Sequence, residues 1–179
     1  MRIAISGSTG LVGSSLAAAL QAEHGQVTRL VRKDPAACDV LWDPQATAFD
    51  AAPLAGCEAV VHLAGENIAS GRWNTAKKSQ IRQSRVQSTQ VLARALANAE
   101  KKPRVFVSAS AIGYYGDTGE TLLREQSPAG DDFLAEVCQA WEAATQPARD
   151  AGIRVVNLRI GVVLSKTGGA LAKMLTPFR

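Results

Sequence analysis

The run GSTGLVG, Gly7 to Gly13 within MRIAISGSTGLVGSSLAAAL (residues 1–20), spaces three glycines three apart between an apolar strand-like segment and an apolar helix-like one. A phosphate-binding turn, a secretory signal and a plain tight loop are the readings to separate. A dinucleotide's pyrophosphate needs bare backbone N–H groups at a helix N-terminus, where the macrodipole adds partial positive charge. Such a turn calls for one residue without Cβ where the chain reverses, one where the phosphate approaches and one where helix meets strand. Gly7, Gly10 and Gly13 stand in those places, with Ser8, Thr9, Leu11 and Val12 between them. The triplet follows a strand and opens a helix, which is the context that gives the motif its meaning. A signal peptide is excluded in detail: Arg2 supplies one positive charge, but Ser6, Gly7, Ser8, Thr9 and Gly10 interrupt the apolar segment at once.

Working outward, apolar runs alternate with helical periodicity. Strands are expected at Ile3–Ile5, Val27–Val31, Asp39–Trp42, Ala59–Gly65, Arg104–Ser110 and Arg154–Leu164. Helices are expected over Leu11–Ala22, over Thr75–Ala99 with Ile81, Ser88, Leu92 and Leu96 on one face, and over Phe133–Arg149. Lys78, Arg82 and Arg85 fall together on another side of the second helix, and Asp131 or Asp132 caps the third. Continuous β-branched strands, each followed by a helix, require a parallel sheet covered on both faces. The expected fold is α/β, a Rossmann-type doubly wound parallel sheet in three αβα layers, with residues 1–179 as one domain.

The chain has 179 residues, 46% of them hydrophobic and 20% charged, with a net charge of +4. No basic run reaches the length that marks nucleic-acid or membrane-surface binding. No apolar stretch approaches the roughly 18 residues of a membrane span. Three scattered cysteines, Cys38, Cys57 and Cys138, have neither disulfide-framework nor metal-ligand spacing, so no metal is expected and a reducing, cytoplasmic setting is. His62 reads as a satisfied core residue and His24 as a surface one.

The end of the second strand reports on the dinucleotide. An NAD site places a carboxylate there for the ribose 2′-OH. This chain has Val31, Arg32 and Lys33 instead, and a guanidinium suits a 2′-phosphate. Arg29 points the same way, with Asp34 as the carboxylate one step late. The expectation is NADP(H) in preference to NAD(H).

Together GSTGLVG, HLAG (His62–Gly65), VSAS (Val107–Ser110) and YYG (Tyr114–Gly116) resemble the extended short-chain dehydrogenase/reductases. More closely, WDP (Trp42–Pro44), HLAGENIASGRW (His62–Trp73), the pair Ser84-Arg85 and FLAEVCQAWE (Phe133–Glu142) resemble their atypical epimerase subgroup, from Met1 to Arg179. The resemblance implies a nicotinamide cofactor across the strand ends, with Gly7–Gly13 at the pyrophosphate and Leu63, Ala64 and Gly65 along the adenosine and nicotinamide ribose. It places Asp43 near adenine, against the rival reading of a plain Asp-Pro turn. It also implies a substrate-side segment beyond residue 179, and pairing of the second and third helices in a homodimer.

The family's chemistry uses a serine after strand five, then a tyrosine and a lysine four residues apart, which share one helix face so that the cation assists proton transfer by the phenol. EQSP (Glu125–Pro128) matches the acidic-Ser-Pro stretch that precedes this tyrosine, yet the pair falls on Leu134 and Cys138, or on Phe133 and Val137. Arg85 replaces the expected asparagine. Ser110, Tyr114 and Tyr115 remain as catalytic candidates, with a strand cap and a packed turn as the alternatives. Arg85 and Arg82 read either as an anion site or as a solvated face, and Cys138 as a buried small hydrophobe rather than a nucleophile. Two functions follow: an epimerase or oxidoreductase acting on a small, nucleotide-sugar-type substrate, or a non-catalytic cofactor-binding module.

Overall fold

A computed structural model of the chain describes residues 1–23, 25–166 and 168–175. His24 therefore lies outside the described residues. Six strands form one sheet: β1 (Arg2–Ser6), β2 (Gln26–Val31), β3 (Val40–Leu41), β4 (Ala59–His62), β5 (Val105–Ala111) and β6 (Arg154–Ile160). All neighbours are parallel, in the order β3-β2-β1-β4-β5-β6. That is the doubly wound order, whose direction of travel reverses between β1 and β4.

The helices are α1 (Leu11–Ala22), α2 (Thr75–Asn98), α3 (Phe133–Ala143) and α4 (Gln146–Asp150). A two-residue strand β7 (Leu164–Ser165) and a short α5 (Gly169–Met174) end the described chain. Right-handed crossovers divide the helices between the faces. On one face α1 lays Ala17, Leu16 and Leu20 against Ile3, Ile5 and Val61. On the other, Val91, Leu92 and Leu96 of α2 and Ala148 of α4 close over Ala4, Val60 and Phe106.

Four elements fall short of their expected span by two or more residues, β3 and β4 covering only Val40–Leu41 of Asp39–Trp42 and Ala59–His62 of Ala59–Gly65. The helix expected over Phe133–Arg149 is two helices, because Pro147 sits in the first turn of α4 and has no N–H to continue α3. The strand expected over Arg154–Leu164 stops at Ile160, before Gly161. The capping aspartate is Asp132, whose Oδ1 accepts from Ala135 N at 2.8 Å. Among the described residues no helix is long and apolar enough to cross a membrane.

Candidate functional site

At the reversal point the glycines define a cradle. Gly7 has φ +70°, and a Cβ there would lie 2.7 Å from Leu63 C and 2.8 Å from Ala64 N. At Gly13 a Cβ would lie 2.2 Å from Gly7 O. That oxygen also accepts from Gly10 N at 3.0 Å, closing the turn. Gly10 is the N-cap of α1, which has neither a side-chain cap nor an acidic residue in its first turn. The first amides of a helix lack intrahelical acceptors, so those of Leu11, Val12 and Gly13 are offered to an anion. Ser8 Oγ, buried in the same turn, has no hydrogen-bond partner among the described residues. A pyrophosphate fits this arrangement on close approach, charge and donor supply alike. Thr9 and Val12 lie exposed on the turn.

Val31 ends β2, where its carbonyl accepts from Trp42 N at 2.8 Å. Beyond it, exposed Arg32 joins Leu41, Trp42, Asp43, Pro44 and Gln45 around a cavity of about 320 Å³. Asp43 Oδ1 accepts from Gln45 N at 2.9 Å, so the Asp-Pro turn is real, and the same residue faces the cavity. Arg29 is not directed there. Its guanidinium holds both oxygens of Asp39, at 2.9 and 2.6 Å, and the hydrogen bond keeps the Asp39 carboxyl below its ordinary pKa.

The strand ends on the other side bring a second group together. In register, Ser6, His62, Ser108 and Asn157 form a row across the sheet, and Ser110 and Arg159 lie two residues further toward the C-terminal edge. β5 is two strands from β1, roughly 10 Å at ordinary strand spacing. Ser110 is buried and its hydroxyl donates to Glu142 Oε1 at 2.7 Å, so it does not cap its strand. Glu142 is gripped by Arg159 through Nε at 2.8 Å and Nη2 at 2.9 Å. Burial pushes the Glu142 carboxyl up, but the bonds from Arg159 and Ser110 outweigh it and the pKa is lowered. Arg159 Nη1 donates to Tyr115 Oη at 2.8 Å, and its Cζ lies 3.5 Å over the Tyr114 ring. Tyr114 and Tyr115 pack edge to face at 5.3 Å.

Neither Glu142 nor Arg159 was singled out from sequence. The signal present was an arginine inside an otherwise apolar strand, near its C-terminal end. On α3, Leu134 Cβ and Cys138 Sγ face Gly113, at 3.4 and 4.0 Å from where its Cβ would be. Burial raises the Cys138 thiol pKa, which fits a buried small hydrophobe.

Of the two readings open for Arg85, an anion site or a solvated face, its burial disfavours the solvated face that Lys78 and Arg82 present. Four residues after Ile81 and three before Ser88, both fully buried, it sits at the margin of the packed face. Its Nη1 donates to Ile81 O at 3.1 Å and its Nη2 to Glu66 O at 3.0 Å, with Cζ 5.2 Å from the Trp141 ring centre. Arg82 is exposed.

His62 is wholly buried. Ser88 Oγ donates to Ser84 O at 2.6 Å and therefore accepts from His62 Nε2 at 3.2 Å, leaving Nδ1 to accept from Ser6 Oγ at 2.6 Å. Burial lowers its pKa from 6.5 to about 4. The unfolded chain binds the extra proton first, so this contribution is complete above pH 6.5 and fades as pH falls toward 4. Between pH 7 and pH 5 it amounts to about 2 kcal/mol, most of it lost before carboxylates of ordinary pKa titrate. Urea unfolding at the two pH values measures the loss, and stability unchanged to pH 5 would contradict a buried neutral imidazole.

A dinucleotide-binding α/β protein is what this sheet order and cradle define. The family model for the NAD dependent epimerase/dehydratase family matches residues 3–178, and the chain belongs to that family. It is 47% identical over 173 residues to epimerase family protein Mb2239 of Mycobacterium bovis, covering 96% of this chain and 57% of that protein. Thus it spans less than two thirds of the length of the curated relatives it matches. Among solved structures it resembles the nucleoside-diphosphate sugar epimerase of Corynebacterium glutamicum (TM-score 0.87, 45% identity, 99% of this chain and 37% of that one). It equally resembles human epimerase family protein SDR39U1 with NADPH (TM-score 0.87, 37% identity, 99% and 59%).

The expected preference for NADP(H) over NAD(H) is corrected by these comparisons. Similar folds solved with a nicotinamide dinucleotide mostly hold NAD: MoeE5 with UDP-glucose and NAD (TM-score 0.75, 20% identity, 94% and 58%) and UDP-glucuronic acid 4-epimerase of Bacillus cereus with NAD (0.70, 19%, 90% and 57%) are two of them. The physical reason lies in the charges themselves, since Arg29 is committed to Asp39 and Arg32 shares its cavity with the Asp43 carboxylate.

Proposed function

We propose that residues 1–179 form the dinucleotide-binding domain of a nicotinamide-dependent epimerase or oxidoreductase acting on a nucleotide-linked sugar. The observation that carries this reading is the cradle, where side chains at Gly7 and Gly13 would overlap backbone beside an uncapped helix start. In this reading the amides of Leu11–Gly13 and the Ser8 hydroxyl hold the pyrophosphate, and the Arg32–Asp43 cavity takes the adenosine end. Leu63, Ala64 and Gly65 flank the nicotinamide side. A bound nicotinamide supplies reversible two-electron redox chemistry at the strand ends. In this reading Ser110 and Tyr115 orient a substrate hydroxyl, and the Glu142–Arg159 pair keeps them in place. The relatives' descriptions as epimerase family proteins and as a nucleoside-diphosphate sugar epimerase support the substrate class.

NAD at 100 times its dissociation constant is expected to stabilise the fold by about 2.7 kcal/mol. For a chain of this size that is a rise in Tm of roughly 5 to 10 °C. Absence of any shift with NAD, NADH, NADP and NADPH alike sinks the proposal.

A second reading, a cofactor-binding module without turnover, is favoured by one observation: Leu134 and Cys138, a residue pair unable to transfer protons between them, occupy the α3 face opposite Gly113. Transfer of deuterium from C4-deuterated UDP-glucose or UDP-glucuronate to NAD, giving labelled NADH and the keto sugar, or formation of the C4 epimer, supports turnover. The absence of both despite NAD binding supports the module.

A further inference from the structure

Buried guanidinium groups are costly unless paired, and in this chain the paired ones are easy to recognise. Arg29 has Asp39 and Arg159 has Glu142. Arg85, like half-buried Arg2 among the described residues, has no carboxylate partner. It is partly buried against Trp141, and burial lowers its pKa, yet among the described residues no carboxylate lies within 4.0 Å of it. Its printed hydrogen bonds go to the carbonyls of Ile81 and Glu66, with a marginal contact of 3.5 Å to Ser84 Oγ.

The negative groups nearby are all committed elsewhere. Glu66 is held by Lys77 Nζ at 2.6 Å. Glu142 is bound to Arg159 and Ser110. The Cys138 thiol, the other group that acts electrostatically on Arg85, has its pKa raised by burial and carries no charge near neutrality. Glu66, already paired with Lys77, acts on the Arg85 charge only from beyond ion-pair distance, so the cation stands beside the end of β4 with carbonyl dipoles as its direct partners.

The covering of this cation is also unusual. Gly65 packs against the guanidinium, with its would-be Cβ 3.4 Å from Cζ, so residue 65 itself puts no side chain over it. Lys78 and Arg82, exposed about two turns and one turn earlier along α2, add a positive field leading toward it. The pyrophosphate cradle lies on the other side of Leu63 and Ala64, with its own donors.

We propose that Arg85 is a carboxylate-binding residue on the substrate side of the site, approached past Gly65. The planar guanidinium fork matches a carboxylate's two oxygens, and removal from bulk water strengthens such a pair. This deepens the proposed function by naming an acidic substrate, and it rests on that reading only for the word substrate. Binding of the carboxylate is testable without it.

The test titrates the unmodified chain with sodium acetate, sodium chloride or inorganic phosphate at constant ionic strength, following the side-chain N–H resonances of Arg85 by NMR. Arg85→Lys identifies those resonances by their loss. NAD binding is measured on the same sample by calorimetry. We expect a saturable shift with acetate, half complete at about a tenth of the chloride concentration that gives an equal shift. A shift equal for all three salts overturns the proposal as mere screening, and a saturable shift with phosphate alone overturns it in favour of a phosphate site. Failure of NAD to bind while acetate still saturates Arg85 removes the proposed function and leaves the carboxylate site standing.

Discussion

Gly13→Ala is expected to destabilise the chain by about 3 kcal/mol, at the upper end of ordinary overpacking, and to weaken dinucleotide binding about 100-fold. The cause is geometric. A methyl group at Gly13 would lie 2.2 Å from Gly7 O and 2.9 Å from Gly7 C. Gly7 cannot retreat, because its own would-be Cβ position is already 2.7 Å from Leu63 C and its carbonyl holds Gly10 N. Relief must come from moving α1 away from β1, which opens the turn that presents the first helical amides. Gly10→Ala is the contrasting control: its Cβ would stand 3.3 Å from Gly7 O at a negative φ, near −77°. Loss of a favourable N-cap residue then costs about 1 kcal/mol at most. Urea unfolding separates the two variants, and calorimetric titration of Gly13→Ala with NAD measures its loss of binding. Equal stability of the two would mean that the turn adapts at Gly13 and that its close approach to Gly7 does not shape the cradle.

The parts of this molecule legible in sequence are those whose physics is local. The expected Leu11–Ala22 matches α1, because Gly10 and the apolar run mark its start. Thr75–Ala99 differs from α2 by one residue, and Asp132 caps α3 as one of two candidates. Parallel order followed from β-branched strands separated by helices. Illegible were the consequences of strand register. Nothing in RVVNLRIGVVL says that Arg159 lies opposite Ser110, within reach of Glu142 seventeen residues earlier. The setting of Arg85 stayed open for a related reason. Its spacing from Lys78 and Arg82 is as regular as its spacing from Ile81 and Ser88, and only the packing of Trp141 decides between the two faces. The charge at the end of β2 misled in another way, since Arg29 looked free until Asp39 was seen ten residues on.

Glu142→Ala is expected to lower stability by about 3 kcal/mol, the lower end for breaking a buried ion pair, because both side chains keep some exposure. The Glu142 and Arg159 side chains are 14% and 20% exposed. The variant strips Arg159 of two hydrogen bonds and leaves Ser110 without its acceptor. Arg159 would retain Tyr115 Oη and Glu125 O, neither of which carries charge. Replacing both members, as Glu142→Ala with Arg159→Met, is expected to recover part of the loss, since the apolar stem still covers the Tyr114 ring while no cation is left unpaired. The pH dependence has a fixed sign. The Glu142 pKa is lowered in the folded chain, so its contribution is present above the unfolded pKa and disappears as pH falls through the folded one. The Glu142→Ala variant should therefore lose less stability on acidification than the parent does. Urea unfolding of the two single variants and the double variant, at neutral and acidic pH, measures the coupling. If the single variants fall within about 1 kcal/mol of the parent, as exposed pairs do, the network does not hold Ser110 and Tyr115 in place. Their arrangement at the strand ends would then owe more to the packing of α3 than to charge.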